Sequence, residues 1–195
     1  MAFLLLLVPS TLYAAGSSGN RNFVVDKPFS EVMEALQKPE DLKKLLNRPD
    51  IEVLSLTLEE VTLDGETILG DKNLDLKYKA KIKIAGHIKI HTKEVGTLEL
   101  WIEGYVQRSN NSATLHVYTT KTCGQLTYFN AWVVFSKQTE KTTLVQMHAT
   151  IRVSIPCFRL RLIRRIANRV ASNIVCCLIQ DGLCQAERQI QSAVK

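Results

Sequence analysis

The sequence has little with which to build a metal site or a disulfide framework. It contains five cysteines and four histidines in 195 residues, and none of them form a CxxC pair or a Cys/His pair at zinc-binding spacing. An odd number of cysteines excludes a complete set of intramolecular disulfides, and the adjacent Cys176 and Cys177 point to different sides of a helix. We therefore expect buried free thiols, no metal and no cofactor.

Long apolar runs are also scarce. The run from Phe3 to Val8 is too short to span a bilayer. It resembles the apolar core of a secretory signal, with Ala14 and Gly16 as small residues for cleavage, although the basic residues that usually precede such a core are missing. We interpret residues 1–19, which end in a flexible glycine- and serine-rich stretch, as a signal or a disordered apolar leader. The leader favours a secreted or periplasmic location over a cytoplasmic one, and the odd cysteine count argues against export.

The charged fraction and the lack of any dividing segment indicate one folded domain, at residues 20–195. Charged residues make up 23% of the chain, which excludes wholesale disorder, and the net charge of +6 favours anionic partners without choosing among nucleic acid, acidic lipid and acidic protein. No internal repeat, low-complexity tract or linker divides the sequence, and its length suits a single domain.

The spacing of apolar residues predicts a definite order of elements. A β-type run at residues 22–25 precedes two short helices, at residues 29–37 and from Pro39 to Pro49. Period-two alternation from residue 51 to 155 predicts about six strands, with turns at Asp64-Gly65, at Gly86 and at residues 110–112. After Pro156, apolar spacings of three and four predict a long amphipathic helix that Gly182 bends or ends.

This order predicts the fold class α+β. A curved antiparallel sheet of about six to seven strands would wrap around the long C-terminal helix, with two short helices after the first strand. Such a sheet must cover its apolar face, and the last helix is the element long enough to do so. A helix across a curved sheet tends to leave a space in which ligands bind.

The element order resembles the helix-grip fold of the START-like superfamily, which includes lipid-transfer START domains, plant pathogenesis-related pollen-allergen proteins, coenzyme Q-binding proteins and polyketide cyclases. The resemblance rests on residues 22–28 with the helix pair at 29–46, on the strands, and on the junction at 154–156 before the helix at 160–190. It covers the chain after Asn20 and lies in element order rather than in a catalytic motif. It implies an elongated apolar cavity for lipids, sterols, quinones or polyketides.

Apolar side chains with the inward phase of the strands and the long helix are the candidates to line that cavity. They are Tyr78, Ile82, Leu98, Leu100, Ile102, Val117, Phe129, Val133, Met147, Ile151, Ile166, Val170 and Ile174. Periodicity gives only their direction, and because interiors are close-packed each also fits an ordinary core position. Gly96 and Gly104 have the same phase, where a missing side chain either makes room for ligand or permits a bend in the sheet.

A basic cluster marks the start of the long helix. Its members are Arg159, Arg161, Arg164, Arg165 and Arg169. The cluster suits contact with an anionic membrane surface. It suits a ligand phosphate less well, because cations at a helix N-terminus oppose the helix dipole and no glycine-rich loop accompanies them. A solvated basic face is the plain alternative.

Nucleic-acid binding is not favoured. Lysines alternate along one strand, at Lys77, Lys79, Lys81 and Lys83. Aromatic side chains are predicted on the outer faces of the strands, at Trp101, Tyr105, His116, Tyr118, Tyr128 and Trp132. Acidic residues interleave with them and no recognised nucleic-acid signature is present, so cross-strand pairing or a partner contact explains them as well.

The sequence does not indicate enzymatic catalysis either. The four histidines are predicted on polar strand faces, and no histidine motif accompanies the thiol of Cys123. We therefore expect a protein, not an enzyme, that binds and sequesters or transports a small hydrophobic ligand. A polyketide cyclase or aromatase would need a histidine or carboxylate facing inward. A ligand-free interaction module using the outer aromatic face is the third hypothesis.

Overall fold

The computed structural model describes residues 13–35, 51–63, 66–67, 80–92, 96–109, 111–123, 126–155 and 161–194. The strands are β1 (Tyr13–Val25), β2 (Ile51–Leu63), β3 (Glu66–Thr67), β4 (Ala80–Thr92), β5 (Gly96–Arg108), β6 (Ser112–Cys123), β7 (Leu126–Lys137) and β8 (Thr143–Ile155). The helices are α1 (Phe29–Ala35) and α2 (Arg161–Ala193).

All described strands belong to one antiparallel sheet in the order β1-β8-β7-β6-β5-β4-β2-β3. The first strand pairs with the last over its whole length, from Tyr13 opposite Ile155 to Val25 opposite Thr143. Helix α2, which follows β8, packs against β1 and β8. Seven long strands, a short helix after the first strand and a long C-terminal helix confirm the predicted fold class.

The two faces of the sheet can be told apart by the position of α2. Gly19 on β1 points towards α2, because a Cβ built on it would lie 2.7 Å from Cγ2 of Ile179 and 3.3 Å from Cδ1 of Leu183. Residues directly opposite one another in an antiparallel sheet share a face. The face that contains Gly19 is called the inner face below, and the other is the outer face.

The core lies between the inner face and the two helices. Val32 and Val145 are completely buried, Val175 is 1% exposed and Met147 is 2% exposed. Burying a side chain of this kind stabilises the fold by about 1.5–3 kcal/mol. Helix α1 buries Phe29, Val32 and Met33, which closes the sheet next to β7.

The predicted leader overlaps the sheet. Residues 13–19 form the first half of β1, with Gly16 opposite Arg152 and Gly19 opposite Ala149. The expectation of a flexible or disordered stretch there was therefore wrong. Glycine was read as a sign of flexibility, whereas at Gly19 the missing side chain makes room for α2. Residues 1–12 lie outside the described residues.

Two other glycines do not interrupt their elements. β4 continues through Gly86, which lies opposite Ile102 on β5 and Leu56 on β2, so the predicted turn at Gly86 was wrong. α2 continues through Gly182, so the helix does not end there. A glycine inside a helix costs only about 1 kcal/mol, which the contact of Ile179 and Leu183 with β1 offsets.

Of the other predicted turns, one lies within the described residues and one lies outside them. Ser109 donates its backbone N–H to the carbonyl of Ser112 at 2.7 Å, which confirms the turn near residues 110–112. The second short helix, the Asp64-Gly65 turn and Pro156 lie outside the described residues, as do Lys77 and Lys79.

Candidate functional site

The middle of the inner face is lined by small side chains. Opposite positions on successive strands form a row that runs from β1 to β5. The row consists of Gly19, Ala149, Ala131, Val117 and Gly104. At Gly19 the space left by the missing side chain is filled by Ile179 and Leu183 of α2.

One side of the inner face is largely covered. On β1 and β8, beneath α2, Ala15, Phe23, Met147 and Ala149 are all less than 10% exposed. The buried residues of α2 are Val175, Ile179, Leu183 and Ile190, and Val194 directly after the helix is buried as well. These three elements form a packed core, called the covered side below.

The other side keeps apolar side chains partly exposed. We call this set the open patch, and its members are Val117, Phe129, Ala131, Val133 and Ile151. They lie on β6, β7 and β8, and they pack against the core without being enclosed by it. Because α2 makes its main contacts with β1 and β8, these apolar side chains of β6 and β7 keep part of their surface exposed.

The predicted lining residues on the strands all have the inner-face register where the structure describes them. Val117, Phe129, Val133 and Ile151 belong to the open patch, whereas Leu100, Ile102 and Met147 are fully buried core. The backbone register also places Ile82 opposite Val106 and Leu98 opposite Ile90 on this face. Tyr78 lies outside the described residues.

The predicted inward face of the long helix was wrong. Ile166 is 56% exposed and Val170 is 51% exposed, while Ile174 is half-buried. The buried stripe runs through Val175 and Ile179 instead, and Val170 lies about 140° around the helix from Val175, since each residue advances about 100°. Apolar residues occur on more than one side of α2, so spacing alone did not select the contact face.

The cysteines of α2 also depart from expectation. Cys176, Cys177 and Cys184 are free, as predicted, but Cys176 and Cys177 are exposed rather than buried. Both lie off the stripe that contacts β1 and β8, which explains their exposure.

The inner face carries few polar groups among the described residues. Arg21 on β1 forms an ion pair with Glu187 of α2, and this hydrogen bond raises the pKa of Arg21. The hydroxyl of Thr119 donates to the carbonyl of Phe129 at 3.3 Å. Arg108, at the end of β5, is only 7% exposed, and its Nε has no hydrogen-bond partner.

Sequence reasoning missed Arg108, although the signal was present. Residues 104, 106 and 108 alternate along one strand, so the sequence predicts that Arg108 points to the same face as Gly104 and Val106.

The lack of a side chain at Gly104 allows two strands to pack closely. A Cβ built on it would lie 2.3 Å from the carbonyl oxygen of His116, so the residue allows β5 and β6 to approach. Space for a ligand is therefore not its main role. Gly96 is the first residue of β5, and its surroundings lie outside the described set.

The outer face carries paired aromatic rings, as predicted. His87 stacks on Trp101 with ring centroids 4.2 Å apart, and the Nζ of Lys121 lies 4.6 Å from the Trp101 ring centroid. Trp132 stacks on His148 at 5.3 Å. These contacts are cross-strand pairs of the kind that stabilise a sheet.

All four histidines lie on the outer face, in register with those rings. Nε2 of His116 lies 2.8 Å from Oδ1 of Asn130, and Nε2 of His87 lies 3.2 Å from Oε2 of Glu99. His148 contacts Thr150 at 3.0 Å, and His91 lies 3.7 Å from Glu52. The inner face therefore has no imidazole for acid–base chemistry.

Within the described residues no group of three or more histidine, cysteine or acidic side chains is placed to hold a metal ion. Among the same residues, no helix combines the length and the apolar character needed to cross a membrane.

Solved structures share this arrangement of strands and helices. The di-domain aromatase/cyclase StfQ of the steffimycin biosynthetic pathway matches 92% of this chain with a TM-score of 0.53 and 8% identity, and the match spans 51% of StfQ. The Zhui aromatase/cyclase from Streptomyces sp. R1128 matches 92% with a TM-score of 0.52 and 7% identity, over 93% of its own length. A norcoclaurine synthase mutant from Thalictrum flavum, bound to a transition-state analogue, matches 93% with a TM-score of 0.50 and 10% identity, over 96% of its length.

At these identities the similarity shows the fold. The chain has a helix-grip fold, as its element order predicted. No protein-family model and no curated protein sequence matches the chain.

Proposed function

We propose that the protein binds a small hydrophobic molecule on the open patch and sequesters or transports it. The observation that carries this proposal is a set of partly exposed apolar side chains, Val117, Phe129, Ala131, Val133 and Ile151, on the inner face of a helix-grip fold. An accessible apolar surface beside a packed core gains stability when a ligand covers it.

The driving force would be the burial of apolar surface. Each 100 Å² removed from water contributes about 2.5 kcal/mol before the costs of association are subtracted. The described inner face offers few polar groups to fix the orientation of a ligand, so affinity would rest mainly on shape and apolar contact.

A cyclase or aromatase is the second candidate, because two of the similar structures are aromatase/cyclases. Such an enzyme would need an acid or base inside the site. Here all four histidines lie on the outer face, and Glu187 is paired with Arg21. These placements favour a carrier over an enzyme.

The test is to express the full chain without added ligand, extract it with organic solvent and identify the extract by mass spectrometry. A carrier should release a hydrophobe in near-equal molar amount and return it unchanged after incubation, whereas an enzyme would return a new mass. Repeated failure to recover or bind any hydrophobe would contradict both. A stable homodimer in that case would favour the interaction module.

We further propose that the start of α2 contacts an anionic membrane surface from which ligand is taken or to which it is delivered. Arg165 and Arg169 are exposed there beside the exposed Ile166 and Val170. The sequence extends the cluster with Arg159, Arg161 and Arg164, whose side chains lie outside the described set. Each arginine near such a surface contributes about 1 kcal/mol.

Co-sedimentation with vesicles tests this contact. Phosphatidylglycerol vesicles should retain the wild-type chain and phosphatidylcholine vesicles should not. The double variant Arg165→Gln/Arg169→Gln should lose most of the retention. Arg188→Gln, which removes an exposed charge farther along the same helix, is the matched control and should keep it. Equal retention on the two vesicle types would contradict the proposal.

A further inference from the structure

The inner face contains an arginine whose position points to the chemistry of the ligand. Arg108 is the last residue of β5 and lies opposite Ala113 of β6. The row continues through Phe135 and Val145 to Phe23 on β1. Arg108 therefore shares its face with the open patch.

Arg108 is enclosed in the fold, and one nitrogen of its guanidinium group, Nε, lacks a hydrogen-bond partner. The residue is 7% exposed, and its Nε is buried without a hydrogen-bond partner. Burial lowers the pKa of Arg108, since removal from water disfavours the charged form. Buried charges in proteins are normally paired, and an unpaired donor at such a place calls for a specific explanation.

Arg21 provides the contrast on the same face. It also lies on the inner face, but Glu187 of α2 supplies its counter-charge and raises its pKa. Arg21 therefore belongs to the packed contact between β1 and α2. Arg108 lies four strands away from β1, and no described carboxylate forms an ion pair with it.

We propose that Arg108 binds an oxyanion head, a carboxylate or a phosphate, of the ligand whose apolar body covers the open patch. The planar guanidinium matches both groups with two parallel hydrogen bonds. Ile102, whose row leads to Phe129, lies six positions before Arg108, so the ligand head and the far end of the patch would lie about 20 Å apart along the strands. That span fits an elongated amphipathic molecule. This inference rests on the proposed function.

The test compares three probes that share one alkyl chain: palmitic acid, hexadecyl phosphate and hexadecanol. Displacement of a fluorescent hydrophobe from the full-length protein at neutral pH gives the three dissociation constants. The wild type should bind at least one of the two anions about tenfold more tightly than the alcohol, as expected for charge-assisted hydrogen bonds. Whichever anion binds more tightly identifies the head group.

Variants assign the preference to Arg108. Arg108→Met keeps the length and removes the charge, so it should bring the anions to within about twofold of the alcohol while leaving the alcohol affinity unchanged. Arg108→Lys keeps the positive charge but loses the planar guanidinium that makes two parallel hydrogen bonds, so it should retain part of the preference for anions. Arg21→Gln is the matched control on the same face and should leave the preference intact.

The outcomes separate this inference from the proposed function. If all three probes bind with equal affinity to the wild type, or if Arg108→Met keeps the anion preference, the role of Arg108 is contradicted and the apolar site stands. If no probe binds, the proposed function fails. If Arg108→Met does not fold, the ratio of the anion and alcohol dissociation constants in the wild type and in Arg108→Lys still tests the role of Arg108.

Discussion

Met147 and Val133 lie directly opposite one another on neighbouring strands and point to the same face of the sheet. Met147, on the covered side, is 2% exposed, whereas Val133, in the open patch, is half-buried. The sequence pattern is the same at both positions. The placement of α2 over β1 and β8 encloses Met147 and leaves Val133 partly exposed, so the position of the helix, rather than the sequence pattern, decides which of the two is core.

Truncation of this pair should produce the largest difference in stability. Met147→Ala leaves a cavity in a packed region and should lower the free energy of unfolding by about 2–5 kcal/mol. Val133→Ala removes partly exposed methyl groups and should cost about 1 kcal/mol or less. Urea unfolding of both variants measures this. Equal losses would show that the two sides are packed alike.

A methyl group at Gly19 should disturb the covered side by a smaller amount. The new Cβ would lie 2.7 Å from Ile179 and 3.0 Å from Nε2 of Gln180, so α2 must shift. We expect Gly19→Ala to cost about 1–3 kcal/mol by overpacking. Gly16→Ala, whose nearest atom would be Cγ of Arg152 at 3.0 Å, is the control and should cost less. A neutral Gly19→Ala would place α2 farther from β1 than described.

The smallest effect should come from the ion pair that joins β1 to α2. Arg21→Gln and Glu187→Gln should each lower the melting temperature slightly, and the double variant should lose no more than the larger single loss, because each change removes the same interaction. The loss should shrink at high salt, since the pair is partly exposed. Additive losses in the double variant would mean that the two groups do not act together.

The direction of side chains in the sheet could be predicted from the sequence, and their environment could not. Period two placed Val117, Phe129 and Met147 on one face because successive strand residues point to opposite faces. Which of them α2 covers depends on contacts between distant parts of the chain. The pairing of β1 with β8 is of this kind, so local pattern missed residues 13–19 as strand.

The helix shows the same limit in another form. Ile166 and Val170 fit a spacing of three and four as well as Val175 and Ile179 do. Only packing on β1 and β8 selects the second stripe. Likewise, the sequence gives Arg108 an inward phase, but its burial without a partner emerges only from the folded chain.

The proposed function requires a hollow next to the open patch, and filling that hollow tests it. Ala131 lies in the middle of the patch, between Val117 and Ala149. Ala131→Phe should leave the free energy of unfolding within about 1 kcal/mol of the wild type, because a hollow accepts the ring, and should weaken palmitic acid binding at least about tenfold. A loss of about 1–3 kcal/mol, typical of overpacking, together with unchanged affinity would contradict the account.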